Sequence, residues 1–262
     1  MDSLLKVEDV SIQFGGLKAV SDFSLDLRSR ELVGLIGPNG AGKTTVFNIL
    51  TGVYLPQTGT ILYRDRYERL IHLEGLSPNK ITQLGLARTF QNIRLFSNLT
   101  VLENVLVSHH FRIQYNWLEA VFRLPRFWQE ETRIKEQSLE LLEIFGMANL
   151  AHQRASQLPY GQQRKLEIVR ALATQPRLLL LDEPAAGMNP QETRQLMELI
   201  QFIRERFHLT ILLIEHDMSL VMGICERILV LDYGRILAEG RPEEVRTNPE
   251  VIRAYLGEVS GA

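Results

Sequence analysis

Gly37-Pro38-Asn39-Gly40-Ala41-Gly42-Lys43-Thr44 fits the pattern G-x-x-x-x-G-K-[ST]. Ahead of it, Glu31-Leu-Val-Gly-Leu-Ile36 is a short apolar run of the kind that forms a strand covered on both faces. Behind it, Lys43 to Leu50 reads as a helix. Strand, glycine turn and helix in that order give the motif the context it requires. The glycines let backbone N–H groups turn inward around phosphate oxygens, and the helix adds its positive N-terminal dipole. Lys43 would reach the outer phosphates and the Thr44 hydroxyl would ligate Mg²⁺. A glycine turn with a surface lysine is the bland alternative. The four specified positions arise by chance in roughly one chain of this length in a hundred.

Leu178-Leu-Leu-Leu-Leu181-Asp182-Glu183 supplies the complement. A buried strand ending in two carboxylates presents both at the carboxyl edge of a parallel sheet, where ligands bind in such folds. Asp182 would hold the Mg²⁺ shell and Glu183 would orient or deprotonate an attacking water. An acidic helix cap before Pro184 is the competing reading, and the upstream phosphate loop weighs against it.

Around these motifs the chain alternates in character. Leu4 to Phe14, Asp22 to Arg28 and Thr58 to Tyr63 read as strands, with Arg64 to Arg69 as a hairpin tip. From about Ser77 to Gln175 the pattern is helical; Leu139, Leu142 and Phe145 share a face of Glu136 to Phe145. Strands return at Leu209 to Ile214 and Ile228 to Leu231, followed by a turn at Asp232-Tyr-Gly-Arg235 and a last helix near Pro249 to Leu256. No internal repeat or low-complexity segment appears.

Composition sets the outer bounds. The 262 residues carry 29 Lys plus Arg against 31 Asp plus Glu, a formal net charge of -2. That balance gives no general pull toward nucleic acid or anionic lipid. The single Cys225 forms no internal disulfide and favours a reducing compartment. No apolar run approaches the roughly 18 to 20 residues of a membrane-spanning helix, and the start lacks the layout of a secretory signal. Composition alone therefore points to a cytosolic α/β protein.

Gly37–Thr44, Gln91, Leu158-Pro-Tyr-Gly-Gln162, Leu178–Glu183 and His216, in that order, resemble an ATP-binding cassette (ABC) ATPase over essentially the whole chain. The resemblance implies a P-loop NTPase of α/β class: one domain over 1–262, with a parallel core sheet, an antiparallel β subdomain and an α-helical subdomain inserted at roughly 92–175. It implies ATP and Mg²⁺ as ligands. Phe14 would stack on adenine, Gly37 to Thr45 would hold phosphates, and Gln91 would contact Mg²⁺ and the water. His216 would meet the γ-phosphate. Ala186-Gly-Met-Asn189 matches a loop coupling the two sites of a dimer. In the family two cassettes face head to tail, so Tyr160, Gly161 and Gln162 of one chain would cap the ATP of a second ATPase chain, identical or related. Position 159 departs from the pattern: serine is usual, and Pro159 removes a hydroxyl and an N–H. The two composite sites would then be unequal if the partner is a different chain.

The strings Ala87–Phe96, Tyr160–Arg164, Asp182–Pro190, Ile214–Met218 and Asn248–Leu256 resemble bacterial branched-chain amino acid importers, in length the longer of their two ATPase subunits. Related urea or amide importers use very similar subunits, and a soluble repair or translation ATPase is a further alternative. A non-hydrolysing nucleotide module is a third, raised by Pro159 and opposed by the intact Glu183, Lys43 and His216. The importer reading implies two separate transmembrane permease subunits, an extracytoplasmic binding protein acting indirectly, no nucleic acid, and a place on the cytoplasmic face of the bacterial membrane. The aromatic stretch holding Phe111, Tyr115, Trp117, Phe122, Phe127 and Trp128 is expected mostly to pack within its own subdomain, with one or two residues left for docking a membrane subunit.

Overall fold

The computed structural model describes residues 3–109 and 116–259. The chain divides into two compact units, one of residues 1–91 with 176–262 and the other of residues 92–175.

The first unit begins with long antiparallel strands β1 (Ser3–Phe14) and β2 (Leu17–Arg28). Their alternating apolar residues turn inward: Val7, Val10, Val20, Phe23, Leu25 and Leu27 are all buried. β3 (Leu32–Ile36) is buried at every position, as its unbroken apolar run requires. Next come α1 (Lys43–Leu50), β4 (Thr58–Arg64), β5 (Leu70–His72), α2 (Pro78–Leu84) and β6 (Leu86–Arg88).

The second unit is helical. α3 (Val101–Ser108) opens on a capping box in which Thr100 and Glu103 satisfy each other's backbone N–H groups. α4 (Trp117–Val121) and α5 (Pro125–Ile144) follow, then α6 (Tyr160–Ala173). Val101, Val105, Ile134, Leu142, Phe145, Leu166 and Val169 form the buried face of this unit. Inside α6, Arg164 and Glu167 make a buried ion pair of 2.7 Å.

Returning to the first unit, β7 (Leu178–Asp182), α7 (Pro190–Arg206), β8 (Thr210–Ile214) and α8 (Met218–Ile224) are followed by β9 (Arg227–Asp232) and β10 (Arg235–Gly240). Two short helices, α9 (Pro242–Thr247) and α10 (Pro249–Val259), end the described chain. One sheet has the order β2-β1-β4-β5 and the other β10-β9-β3-β8-β7-β6. The six-stranded sheet is parallel through β9, β3, β8, β7 and β6, and β10 closes it antiparallel to β9. A single buried cluster joins the two sheets and α1, drawing on Leu5, Phe23, Phe47, Leu180, Leu212 and Leu229. The α/β class and the pairing of parallel core with antiparallel layer hold; β10 makes the core sheet mixed at its edge.

The aromatic segment corrects the sequence expectation. Phe111 and Tyr115 lie outside the described residues. Trp117, Phe122 and Trp128 do not pack into the subdomain; they are 72%, 69% and 54% exposed, and Val121 is 67% exposed. Phe127 is half-buried, its ring edge-on to Trp128. Pro125 stands in the first turn of α5, and α4 before it has only five residues. None of the residues of α4 is buried. No helix among the described residues is long and apolar enough to cross a membrane.

Candidate nucleotide and catalytic site

β3 delivers the chain to Gly37, where any side chain would meet backbone: a Cβ there would sit 2.0 Å from the Leu231 carbonyl oxygen. Gly42 has φ of 104° and would place a Cβ 2.5 Å from the Ala19 carbonyl oxygen. The pattern glycines at both ends of the loop are therefore required by close backbone approach. Within the loop, Ala41 N–H donates to the Pro38 carbonyl at 3.2 Å, and Gly234 N–H donates to the Ala41 carbonyl at 2.9 Å. Lys43 is buried and its ammonium donates to the carbonyls of Gly37 (2.7 Å) and Pro38 (2.9 Å), which curls it over the loop. No acidic side chain sits in the first turn of α1 and no side chain caps it, leaving a positive helix end. Thr44 is exposed and Thr45 half-buried on that turn.

A cavity of about 380 Å³ opens over this loop, lined by Asn39 to Thr45 together with Phe14, Lys18, Glu183, His216 and Tyr233. Phe14 is 43% exposed, with its ring edge-on to Tyr54 at 5.1 Å between centroids. It is thus a cavity wall rather than a core residue.

β7 carries its two carboxylates to the same sheet edge. Asp182 is buried and accepts from Arg88 Nη2 at 2.6 Å. Glu183 is the next residue, in a left-handed conformation with φ of 46°, its N–H donating to the Ile214 carbonyl at 2.9 Å. Such a backbone is uncommon away from glycine and costs on the order of 1–3 kcal/mol. It turns the side chain out of the strand direction. Glu183 Oε2 accepts from Gln91 Nε2 at 2.6 Å, and Oε1 lies 2.5 Å from His216 Nε2. One carboxylate is therefore held from both sides by Gln91 and His216. A carboxylate fixed in this way beside a phosphate cradle is placed to accept a proton from water.

Tyr160, Gly161 and Gln162 lie in the helical unit, at the head of α6. Pro159 is its N-cap, with φ of −56° and ψ of 153° and no side-chain cap. Gln162 and Gln163 N–H groups both donate to the Pro159 carbonyl at 3.0 Å. Tyr160 is 46% exposed.

Two residues escaped the sequence reading. Arg88 neutralises Asp182 and also donates to Asn48 Oδ1 at 2.7 Å. Glu215 is a buried carboxylate that accepts the N–H of Ala185 at 2.6 Å and of His216 at 3.0 Å. The signal for Glu215 was available: a charge directly after the apolar run of β8 is the same pattern that singled out Asp182. Arg88 ends a three-residue strand, too short for any periodicity to mark it.

Comparison with known proteins agrees with this geometry. A family model described as ABC transporter matches residues 20–186, and one described as branched-chain amino acid ATP-binding cassette transporter matches residues 235–260. The chain is 52% identical over 255 residues to the high-affinity branched-chain amino acid transport ATP-binding protein LivG of Salmonella typhimurium, covering 97% of this chain and 98% of that one. Among solved structures, the ADP conformation of MJ1267, an ATP-binding cassette of an ABC transporter, aligns with a TM-score of 0.83 at 29% identity over 98% of this chain and 100% of that one. The dimeric, post-hydrolysis cassette MJ0796, bound to ADP and Pi, aligns with a TM-score of 0.73 at 25% identity over 91% and 98% of the two chains. The phosphate loop, the carboxylate edge and these likenesses together place the chain in the ABC transporter family, as one of its nucleotide-binding ATPase subunits.

Proposed function

We propose that this chain hydrolyses ATP to drive import of branched-chain amino acids through separate membrane subunits, working as one half of a head-to-tail cassette dimer on the cytoplasmic face of the membrane. The observation that carries the hydrolytic part is the Glu183 carboxylate, lining the phosphate-loop cavity and held between Gln91 and His216. The substrate class rests on the 52% identity to LivG and on the match at residues 235–260.

In this reading the backbone N–H groups along Gly37 to Thr45, Pro38 excepted, and the Lys43 ammonium receive the phosphates. Phe14, half-exposed at the cavity wall, stacks on adenine. Thr44, Gln91 and Asp182 are hard-oxygen donors suited to Mg²⁺. No cluster of three or more His, Cys, Asp or Glu among the described residues could hold a metal by protein alone. That donor set fits an ion carried largely by nucleotide phosphates and water. Mg²⁺ supplies neutralisation of phosphate charge when bound. Asp182, already paired with Arg88, fits a role in the outer shell. Glu183 takes the proton of the attacking water, and His216 holds the opposite oxygen of its carboxylate and meets the γ-phosphate. Tyr160, Gly161 and Gln162 close the corresponding site on the partner chain, through the amides at the head of α6.

The exposed Trp117, Val121, Phe122 and Trp128 give the helical unit an apolar face fitted to a cytoplasmic segment of a membrane subunit. Co-expression with two transmembrane permease subunits of a branched-chain amino acid importer tests the assembly. Recovery of an intact complex whose ATPase rises with a loaded branched-chain amino acid binding protein is expected. Stimulation by a urea- or amide-loaded binding protein instead would overturn the substrate assignment.

A further inference from the structure

Glu215 lies between the apolar strand β8 and His216 and is 3% exposed. Its two carboxylate oxygens divide between two backbone segments. Oε1 accepts the N–H of Ala185, two residues after Glu183, at 2.6 Å. Oε2 accepts the N–H of His216 at 3.0 Å. Glu183 N–H donates to the carbonyl of Ile214, immediately before Glu215, at 2.9 Å. Residues 183–185 and 214–216 are thus tied at two adjacent points, one of them through this side chain. The side chains that meet across the tie are Glu183 and His216.

Burial raises the Glu215 carboxyl above the usual carboxylate range, and the nearby Glu183 charge adds to that. An acid in this position is costly to bury, and an aliphatic residue would continue the strand without that cost. The aliphatic side chain would leave the Ala185 and His216 amides without their carboxylate acceptor. Backbone geometry at the site is what the acid preserves.

We propose that Glu215 is a positioning residue for hydrolysis, holding the segment after Glu183 against the His216 loop so that the Glu183 carboxylate keeps its orientation. This rests on the reading of Glu183 as the base. Gln at this position can accept one of the two N–H groups through its oxygen but turns an NH₂ toward the other.

The test uses the full chain in two measurements. Without nucleotide, Glu215→Gln should speed hydrogen exchange of the Ala185 and His216 amides by about tenfold or more while the β7 and β8 amides stay protected. Unchanged exchange at both amides would overturn the tie. With ATP, the same variant should lower kcat by about ten- to a hundredfold with KM within about twofold. In a Glu183→Gln background, where the base is already gone, it should cause no further loss of the residual rate. An equal loss in both backgrounds, or a loss carried by KM, would show a general structural role and overturn positioning. If the wild-type chain failed to hydrolyse ATP, the base reading would fall while exchange still decided the tie.

Discussion

Arg88 and Asp182 form an ion pair of 2.6 Å in which both side chains are almost wholly buried. The guanidinium also lies over the rings of Phe47 (5.4 Å) and Phe90 (5.0 Å). The guanidinium thereby fixes the Asp182 side chain at the sheet edge, next to Glu183.

Breaking that pair from one side should be expensive. Arg88→Met leaves the Asp182 charge buried and uncompensated, a loss of about 3–5 kcal/mol. Urea unfolding should show the midpoint falling accordingly, with Arg88→Met/Asp182→Asn recovering part of it. A single variant as stable as the wild type would show that water, not Arg88, balances the aspartate.

Glu183→Gln keeps the size of the side chain and an oxygen for the Gln91 amide, but it cannot accept the proton. ATP hydrolysis should fall by about 10²- to 10⁴-fold. ATP affinity, read by a fluorescent analogue, should stay within about threefold, since the phosphate loop is untouched. Turnover at the wild-type rate would contradict the base assignment.

The fold was legible where burial is two-sided. β3, β7 and β8 are buried at every residue, and each reads as an apolar run bounded by polar or turn residues. The turn at Asp232 to Arg235 was legible too. Tyr233 and Gly234 have φ of 42° and 78°, the conformation a two-residue hairpin demands. The strand it introduces, β10, was not, because an edge strand with mixed exposure carries little periodicity. Arg88 and Glu215 act on partners 94 and 30 residues away in sequence, and no local pattern encodes such a pairing. The aromatic segment failed for another reason: a run of aromatic side chains marks apolar area, not what covers it.

Pro159 forms the N-cap of α6 without a side-chain acceptor. Pro159→Ser would place a hydroxyl three residues before Gln162, completing the S-x-x-Q spacing of a capping box. The helical unit should gain about 0.5–2 kcal/mol, seen as slower amide exchange in the first turn of α6. If the hydroxyl and N–H also reach the partner's nucleotide, the ATPase of the assembled dimer should rise. An unchanged rate would sink the idea that Pro159 weakens one of the two sites.

Glu215 should leave a mark on stability against pH. Its carboxyl is raised above the ordinary glutamate value of 4.5, chiefly by burial, with the amides of Ala185, His216 and Asp217 acting in the opposite direction. The folded state therefore holds this proton to higher pH than the unfolded chain does. The stabilisation is fully present below 4.5 and is lost as pH rises through the raised value. Glu215→Gln carries no titrating proton, so its stability should decline less over that interval. Urea unfolding of both proteins from pH 4.5 upward, each normalised to its value at the lowest pH, isolates the contribution. Parallel curves would mean that the buried acid titrates alike in the folded and unfolded chain. A flatter curve for Glu215→Gln together with slower turnover would show a buried acid retained for its hold on the site at the expense of stability near neutral pH.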